Sequence, residues 1–406
     1  MRSRVLGIVV VLMLTVGVAA PASGEEHQDW TVEVVATGLD NPRGVTIGRG
    51  DVVYVAESGS GGPTLVDARF GGQPGPGCLG DTGGITRVDR RGNVRRIATL
   101  PSFAPAFDPD GPGAVEPSCD GPIGFASVGP SNVDVGGRGG LVVLMGLGGD
   151  LALQGNVGGE FGTLLRVRGN TSTIPIADLV AYEEANDPAG DGSDSNPYGV
   201  ASRGSRRYVA DAGGNTLLEV RANGAISTLA VFPPLDPVPF TPPSCFGDLP
   251  PEVQAQFPPE GTPIPPQSVP TAVAVGPGKD LFVGILTGFP FGVGVAKVYR
   301  VDAATGDVSV YADGLTHVTG IDFDRRGNLY VAQITDGSLL EGEVCGTPEP
   351  GSVIKIDRHG NREVLAQFPA VGDVAVSHRT GDVYVTYDSI VPAFAGGGSL
   401  AKLSHR

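Results

Sequence analysis

The chain has 406 residues, 64 of them glycine and 35 proline, with 18% charged residues and a formal net charge of −16. So acidic a molecule lacks the basic face that nucleic acid or an anionic bilayer would require, while a cationic ligand stays open. Abundant turn formers and the lack of helix-period apolar stripes point to short strands joined by tight turns, an all-β class.

The chain opens with Arg2 and Arg4, an apolar run to Val18 and small residues ending in Ala20-Pro21-Ala22. This is the pattern of a signal peptide over 1–22, and the expected product is an exported protein of one domain over 23–406. No later apolar run reaches the ~20 residues of a membrane span, so no stable span is expected. In an oxidising compartment the four cysteines, Cys78, Cys119, Cys245 and Cys345, are candidates for disulfides rather than for zinc, since no CxxC is present.

In chain order, six related units follow. Their first strands are "NPRGVTI" from Asn41, "PSNVDV" from Pro130, "NPYGVAS" from Asn196, "VPTAVAV" from Val269, "HVTGIDF" from His317 and "VGDVAVS" from Val371. A tight polar turn and a second strand follow each, as in "GRGD" then "VVYVAE" and "DRRGN" then "LYVAQ". A third strand appears in all six units ("GITRVD", "TLLRVR", "TLLEVR", "KVYRVD", "SVIKID", "SLAKLS") and a fourth in the first five. The strand missing from the sixth stands at the other end of the chain, where "TVEVVATGL" carries Ala36 after an aliphatic pair, as the fourth strands do. Six four-stranded units offset by one strand specify a six-bladed β-propeller whose N-terminal strand completes the last blade. Val45, Val133, Val200, Val273, Ile321 and Val374 share one innermost-strand position and are expected to pack blade on blade, with Tyr54, Tyr208, Phe282, Tyr330 and Tyr384 on the second strands.

The extra sequence falls at 58–83, 101–129, 146–161, 180–196, 232–269 and 334–350. All of it lies between strands two and three or between units, which up-and-down topology places on one face. That face is expected to be a recognition surface for a small molecule or a protein. Neighbouring loops suggest Cys78 with Cys119 and, by elimination, Cys245 with Cys345; the two other connectivities stay open on sequence. The proline-rich loop 232–269 reads as a stiff cover with one helical turn at Glu252 to Phe257.

The phrase "VATGLDNPRGVTI", the strands "GITRVDRRG" and "VIKIDRHG", and the six-unit layout resemble the ScyD/ScyE family of secreted, NHL-like bacterial propellers. The resemblance spans essentially all of 23–406 and is consistent with a binding or scaffold protein; an accessory role beside biosynthetic enzymes is a further option, since the family is named for members encoded with scytonemin synthesis. It carries no active-site residues. A second reading is a channel-centred hydrolase, on the pattern of metal-dependent lactonases, or a sugar oxidoreductase, because "GLDNPRGV" also resembles the opening of quinone-dependent sugar dehydrogenases. In the lactonases, carboxylate and amide side chains before the innermost glycines hold a divalent cation. The matching positions here are Arg43, Ser131, Tyr198, Thr271, Thr319 and Gly372, with no carboxylate and one repelling guanidinium.

The candidate polar site is the channel mouth, with Asn41, Asn132, Asn196, His317 and Asp373; the asparagines read first as turn caps that satisfy backbone groups before the strands, and a weak Ca²⁺ site there is the alternative left open. No catalytic residue, firm cofactor or metal ligand is assigned: His317 is the one histidine near the mouth, and the S-x-x-K pairs Ser352/Lys355 and Ser399/Lys402 fall on strands, where the two groups point apart. The acidic stretches at Asp108 to Gly111 and Glu183 to Asn196 read first as solvated loops, without a complete twelve-residue calcium loop.

Overall fold

The computed structural model describes residues 30–70, 73–106, 118–119, 127–136, 140–147, 159–168, 172–389 and 397–405. The expected signal peptide over 1–22 and the acidic stretch Asp108 to Gly111 lie outside the described residues.

Six sheets stand around an axis, each antiparallel and numbered here as a blade. Blade 1 runs Pro42–Ile47, Val53–Glu57, Gln73–Val88 and Val94–Pro105 from the axis outward, and blade 2 runs Pro130–Val135, Leu141–Met145, Thr163–Val167 and Thr173–Asp178. Blades 3, 4 and 5 begin at Pro197–Arg203, Pro270–Val275 and Val318–Phe323. Blade 6 is built of Asp373–Val376, Val383–Tyr387, Gly398–His405 and, on its outer edge, Trp30–Leu39. The N-terminal strand pairs along its length with the C-terminal one, Trp30 opposite His405 and Leu39 opposite Gly398. The ring is thus closed as the repeat offset requires, and the edge an open sixth blade would expose is paired.

The core lies between blades rather than within them. Ile85 and Phe103 of blade 1 pack with Val133 and Met145 of blade 2, and Val142 and Leu164 pack with Val200 and Val209 of blade 3. The same layer continues through Tyr208 with Val283, Phe282 with Ile321, Tyr330 with Val374, and Ala375 and Leu400 with Val45. All six aligned innermost-strand positions are buried. Each buried large side chain stabilises the ring by roughly 1.5–3 kcal/mol. The innermost strands crowd the axis: a Cβ on Gly320 would lie 2.7 Å from the Cα of Asp373, and one on Gly44 would lie 2.6 Å from that of Asn132.

Three elements differ from the loop reading. Thr64–Phe70 pairs with the first half of Gln73–Val88, so blade 1 carries a long hairpin arm. Helix α1 (Leu179–Asn186) starts where the Asp178 carboxylate accepts from the Ala181 N–H, and helix α3 (Leu339–Cys345) fills the insertion of blade 5. The expected turn in the proline-rich loop forms as α2 (Pro251–Gln254), a little earlier than Glu252 to Phe257. Both disulfides join the anticipated partners, Cys78 to Cys119 and Cys245 to Cys345. The second ties the proline-rich loop to α3, and around it Phe240, Leu249, Phe257, Leu340 and Val344 form an apolar core of their own. Among the described residues no helix is long and apolar enough to cross a membrane.

Candidate functional site

The axis carries two rings of polar groups. Toward the loop side of the axis, hydroxyls reach from five of the six blades to the backbone of the next. Ser58 donates to Pro130 O (2.9 Å), Ser131 to Pro197 O (3.0 Å), Thr271 to Val318 O (2.6 Å), Thr319 to Val371 O (3.1 Å) and Thr386 to Arg43 O (2.6 Å). The remaining junction, blade 3 to blade 4, is made by Val269 N–H donating to Asn215 Oδ1 at 3.0 Å. Ser131, Thr271 and Thr319 are three of the positions singled out above for a channel-bound cation. Here their hydroxyls are committed to carbonyls.

Deeper in the shaft stand carboxylates. Asp134 accepts from Thr46 Oγ1 of blade 1 and from Ser202 N–H of blade 3. Asp322 accepts from the Val376 N–H at 2.7 Å, and Asp373 from the N–H groups of Val45 (2.9 Å) and Val374 (2.8 Å). Each therefore pins its neighbours while lying in a poorly solvated shaft, and the shaft disfavours its charge. Burial raises the pKa of Asp134, takes Asp322 to about 6 and takes Asp373 to about 8, where the nearby Asp322 adds to the rise against those hydrogen bonds. A cavity of about 390 Å³ occupies this shaft. It runs from Asn132 and Asp373 to Asp51, Arg325, His378 and Arg379, residues of the short turns, and so opens on the undecorated side.

The five expected mouth residues separate into two groups. Asn132 and Asp373 line the cavity, 3.5 Å apart at the Nδ2 and Oδ2 atoms. Asn41, Asn196 and His317 are absorbed in the loop connections. Asn41, at φ 52°, donates to Gly59 O at 2.7 Å, and Asn196 binds Asp211 through its N–H at 2.7 Å. His317 is fully buried at φ 42°, with Nδ1 3.1 Å from Leu286 O and Nε2 facing the Leu339 N–H at 3.4 Å. Desolvation lowers its pKa, and the two contacts suit a neutral ring protonated on Nδ1.

Arg43 occupies the loop-side end of the axis. Only 9% of it is exposed; Nη1 donates to the Tyr198 hydroxyl at 3.3 Å and Nη2 to Ser127 O at 3.1 Å. Its Nε finds no partner, and the guanidinium stands 6.0 Å from the Tyr198 ring centre. Among the described residues no carboxylate pairs with it. A buried cation held by a phenol and a carbonyl is a receptor for negative charge, since desolvation leaves its field poorly screened.

No protein-family model matches the chain, and no curated protein matches it in sequence. Among solved structures it is similar to a streptogramin B lyase (11% identity over 94% of this chain and 100% of that one, TM-score 0.45). It is also similar to a gluconolactonase from Xanthomonas campestris (10% identity, 97% and 99% coverage, TM-score 0.48). A third is the PQQ-bound aldose sugar dehydrogenase of Streptomyces coelicolor (13% identity, 94% and 100% coverage, TM-score 0.46). These identities and scores carry no argument about activity.

Proposed function

We propose that the protein is an extracytoplasmic binding module of the ScyD/ScyE kind, and that the loop-side end of its axis takes a ligand bearing a carboxylate or similar anionic oxygen. The observation that carries this reading is the buried, carboxylate-free Arg43 beside Tyr198. A guanidinium recognises such an oxygen pair with paired N–H donors, and the neighbouring phenol adds a donor and a ring face. The cover fastened by Cys245–Cys345 supports it further, because a cross-linked loop layer with its own core presents a surface ordered before binding. Two disulfides also suit an oxidising compartment.

The test is a thermal-shift screen of the protein against small organic acids, with Arg43→Gln and Tyr198→Phe alongside. An acid present at about a hundredfold its Kd stabilises by roughly 2.7 kcal/mol, a readable shift. That shift should vanish in Arg43→Gln and shrink in Tyr198→Phe. A second reading places a polar or cationic ligand in the 390 Å³ cavity, on the strength of the carboxylates that line it. A stabilising ligand that survives Arg43→Gln and is lost in Asp322→Asn would establish the second reading and overturn the first.

A further inference from the structure

On the loop side, where blade 2 passes to blade 3, lies a second charge anomaly, opposite in sign. Glu183 sits on α1, is wholly buried, and neither carboxylate oxygen has a hydrogen-bond partner. Such a group is rare in a folded protein, because each unpaired buried oxygen forfeits its hydration without replacement. The surroundings make matters worse. Desolvation first, and then the like charges of Asp211, Asp187, Asp191 and Asp194, push its pKa up to about 8. Between Gly169 and Ser202 the chain has no lysine or arginine to offset them.

The local backbone is shaped around this carboxylate. Helix α1 ends at Asp187 in the left-handed region, φ 37°, and the Asp187 side chain then gathers the N–H groups of Gly190 and Gly192, folding the acidic segment back. Asp211, also fully buried, ties down the far end by accepting from Ser195 Oγ at 2.6 Å and the Asn196 N–H at 2.7 Å. Gly214 approaches so closely that a Cβ there would lie 3.0 Å from one Glu183 oxygen and 3.1 Å from the other. Space beside the carboxylate is thus kept free of side chain by a glycine.

A proton on Glu183 would remove its charge but not its isolation, for a carboxylic acid still needs an acceptor for its O–H and a donor for its carbonyl. A metal ion answers both demands, since it supplies the missing partner to the oxygens and neutralises the four aspartates around them.

We infer that Glu183, enclosed by α1, the 187–196 segment and the Asp211–Asn215 turn, is the anchoring ligand of a calcium site. Among the described residues no three carboxylate, imidazole or thiolate side chains converge into a cage. The remaining ligands are accordingly backbone carbonyls and water, which Ca²⁺ accepts at six to eight positions and Mg²⁺, with its stricter octahedron, accepts poorly. This site includes neither Arg43 nor Tyr198 and is independent of the ligand proposed for them.

The experiment is calcium titration calorimetry on the full protein stripped with EDTA, paired with melting curves in EDTA and in excess CaCl₂, for wild type and Glu183→Gln. The expected result is one Ca²⁺ per chain with a Kd of about 0.1–1 mM, the range of extracellular modules, weaker binding of Mg²⁺, and a higher melting temperature with Ca²⁺. Glu183→Gln should weaken binding at least about tenfold. It should also melt above the wild type in EDTA, because an amide there escapes the cost of desolvating or protonating a carboxyl among four aspartates, and gain less from Ca²⁺. Absence of binding in the wild type at 10-fold higher calcium would overturn the proposal. Calcium binding unchanged in Glu183→Gln would overturn it too, by placing the ion elsewhere. Should Glu183→Gln fail to fold, Gly214→Ala supplies the second readout: its methyl enters the space beside the carboxylate and should cut calcium affinity, and unchanged affinity there counts against the site.

Discussion

Closure of the ring can be tested at one residue. Trp30, the single tryptophan, opens the strand that completes blade 6 and is only 3% exposed. Its ring is wedged against blade 5: Nε1 donates to Glu363 at 2.9 Å, the Lys355 ammonium lies 5.8 Å from the ring centre, and the His405 ring meets it edge-on at 5.3 Å. Trp30→Ala removes this packing and should cost about 3–5 kcal/mol, the range for a buried aromatic cut to alanine. The lost hydrogen bond adds little, because Glu363 is 44% exposed and water replaces the indole. With a urea slope of about 3 kcal/mol/M, the upper end for small proteins, the midpoint falls by roughly 1–1.7 M. Far-UV circular dichroism reads it in the variant, which has no tryptophan fluorescence. In the wild type that fluorescence should change together with the dichroism, since a closed ring opens and unfolds as one unit. A midpoint shift worth under ~1 kcal/mol, or a fluorescence transition well before the dichroism, would refute the argument that this strand holds the ring.

Two more outcomes follow from the shaft and the cover. Asp373 has its pKa raised to about 8 in the fold. A carboxyl raised in this way stabilises the fold while protonated and loses that contribution as the pH climbs from its ordinary range toward the raised value. Wild-type stability relative to Asp373→Asn should therefore fall between about pH 4 and pH 8, with a slope up to ~1.4 kcal/mol per pH unit, and paired urea midpoints at pH 5 and pH 8 that differ by a constant amount would disprove it. Converting Cys245 and Cys345 together to alanine removes a link across 100 residues, worth about 4.7 kcal/mol by chain entropy, against ~3.9 for the 41-residue link of Cys78 and Cys119. Equal losses in calorimetric melts of the two double variants would show that loop length does not govern either.

The ring was legible because its rule is repeated. Six copies of a strand-turn-strand phrase place Val45, Val133 and Val374 in register, and the spare N-terminal strand has one vacancy to fill. The insertions obey no repeated rule. Leu179–Asn186 has a plain signal in Asp178 before "LVAYEEA", yet its weak apolar stripe leaves it looking like an acidic loop. The arm Thr64–Phe70 pairs with a glycine-rich strand whose partner is chosen by local chain reversal rather than by side-chain alternation. At the axis, sequence marks Asn41 and His317 as polar but does not tell that positive φ turns them onto backbone carbonyls. It also hides Asp134 and Asp322, whose significance appears only when innermost strands from distant units are brought around one shaft. Glu183 is the sharpest case, since burial, not composition, sets it apart from its acidic neighbours.

The Cys245–Cys345 bridge has a consequence for how the protein withstands attack. It spans the whole of blade 4 and the inner half of blade 5, from Pro270 to Gln333. A protease that cuts a surface turn anywhere in that span leaves two fragments still joined through sulfur, each held in its sheet by neighbouring blades. In a protease-rich medium such a nick would be a scar carried by an intact molecule, visible only after reduction.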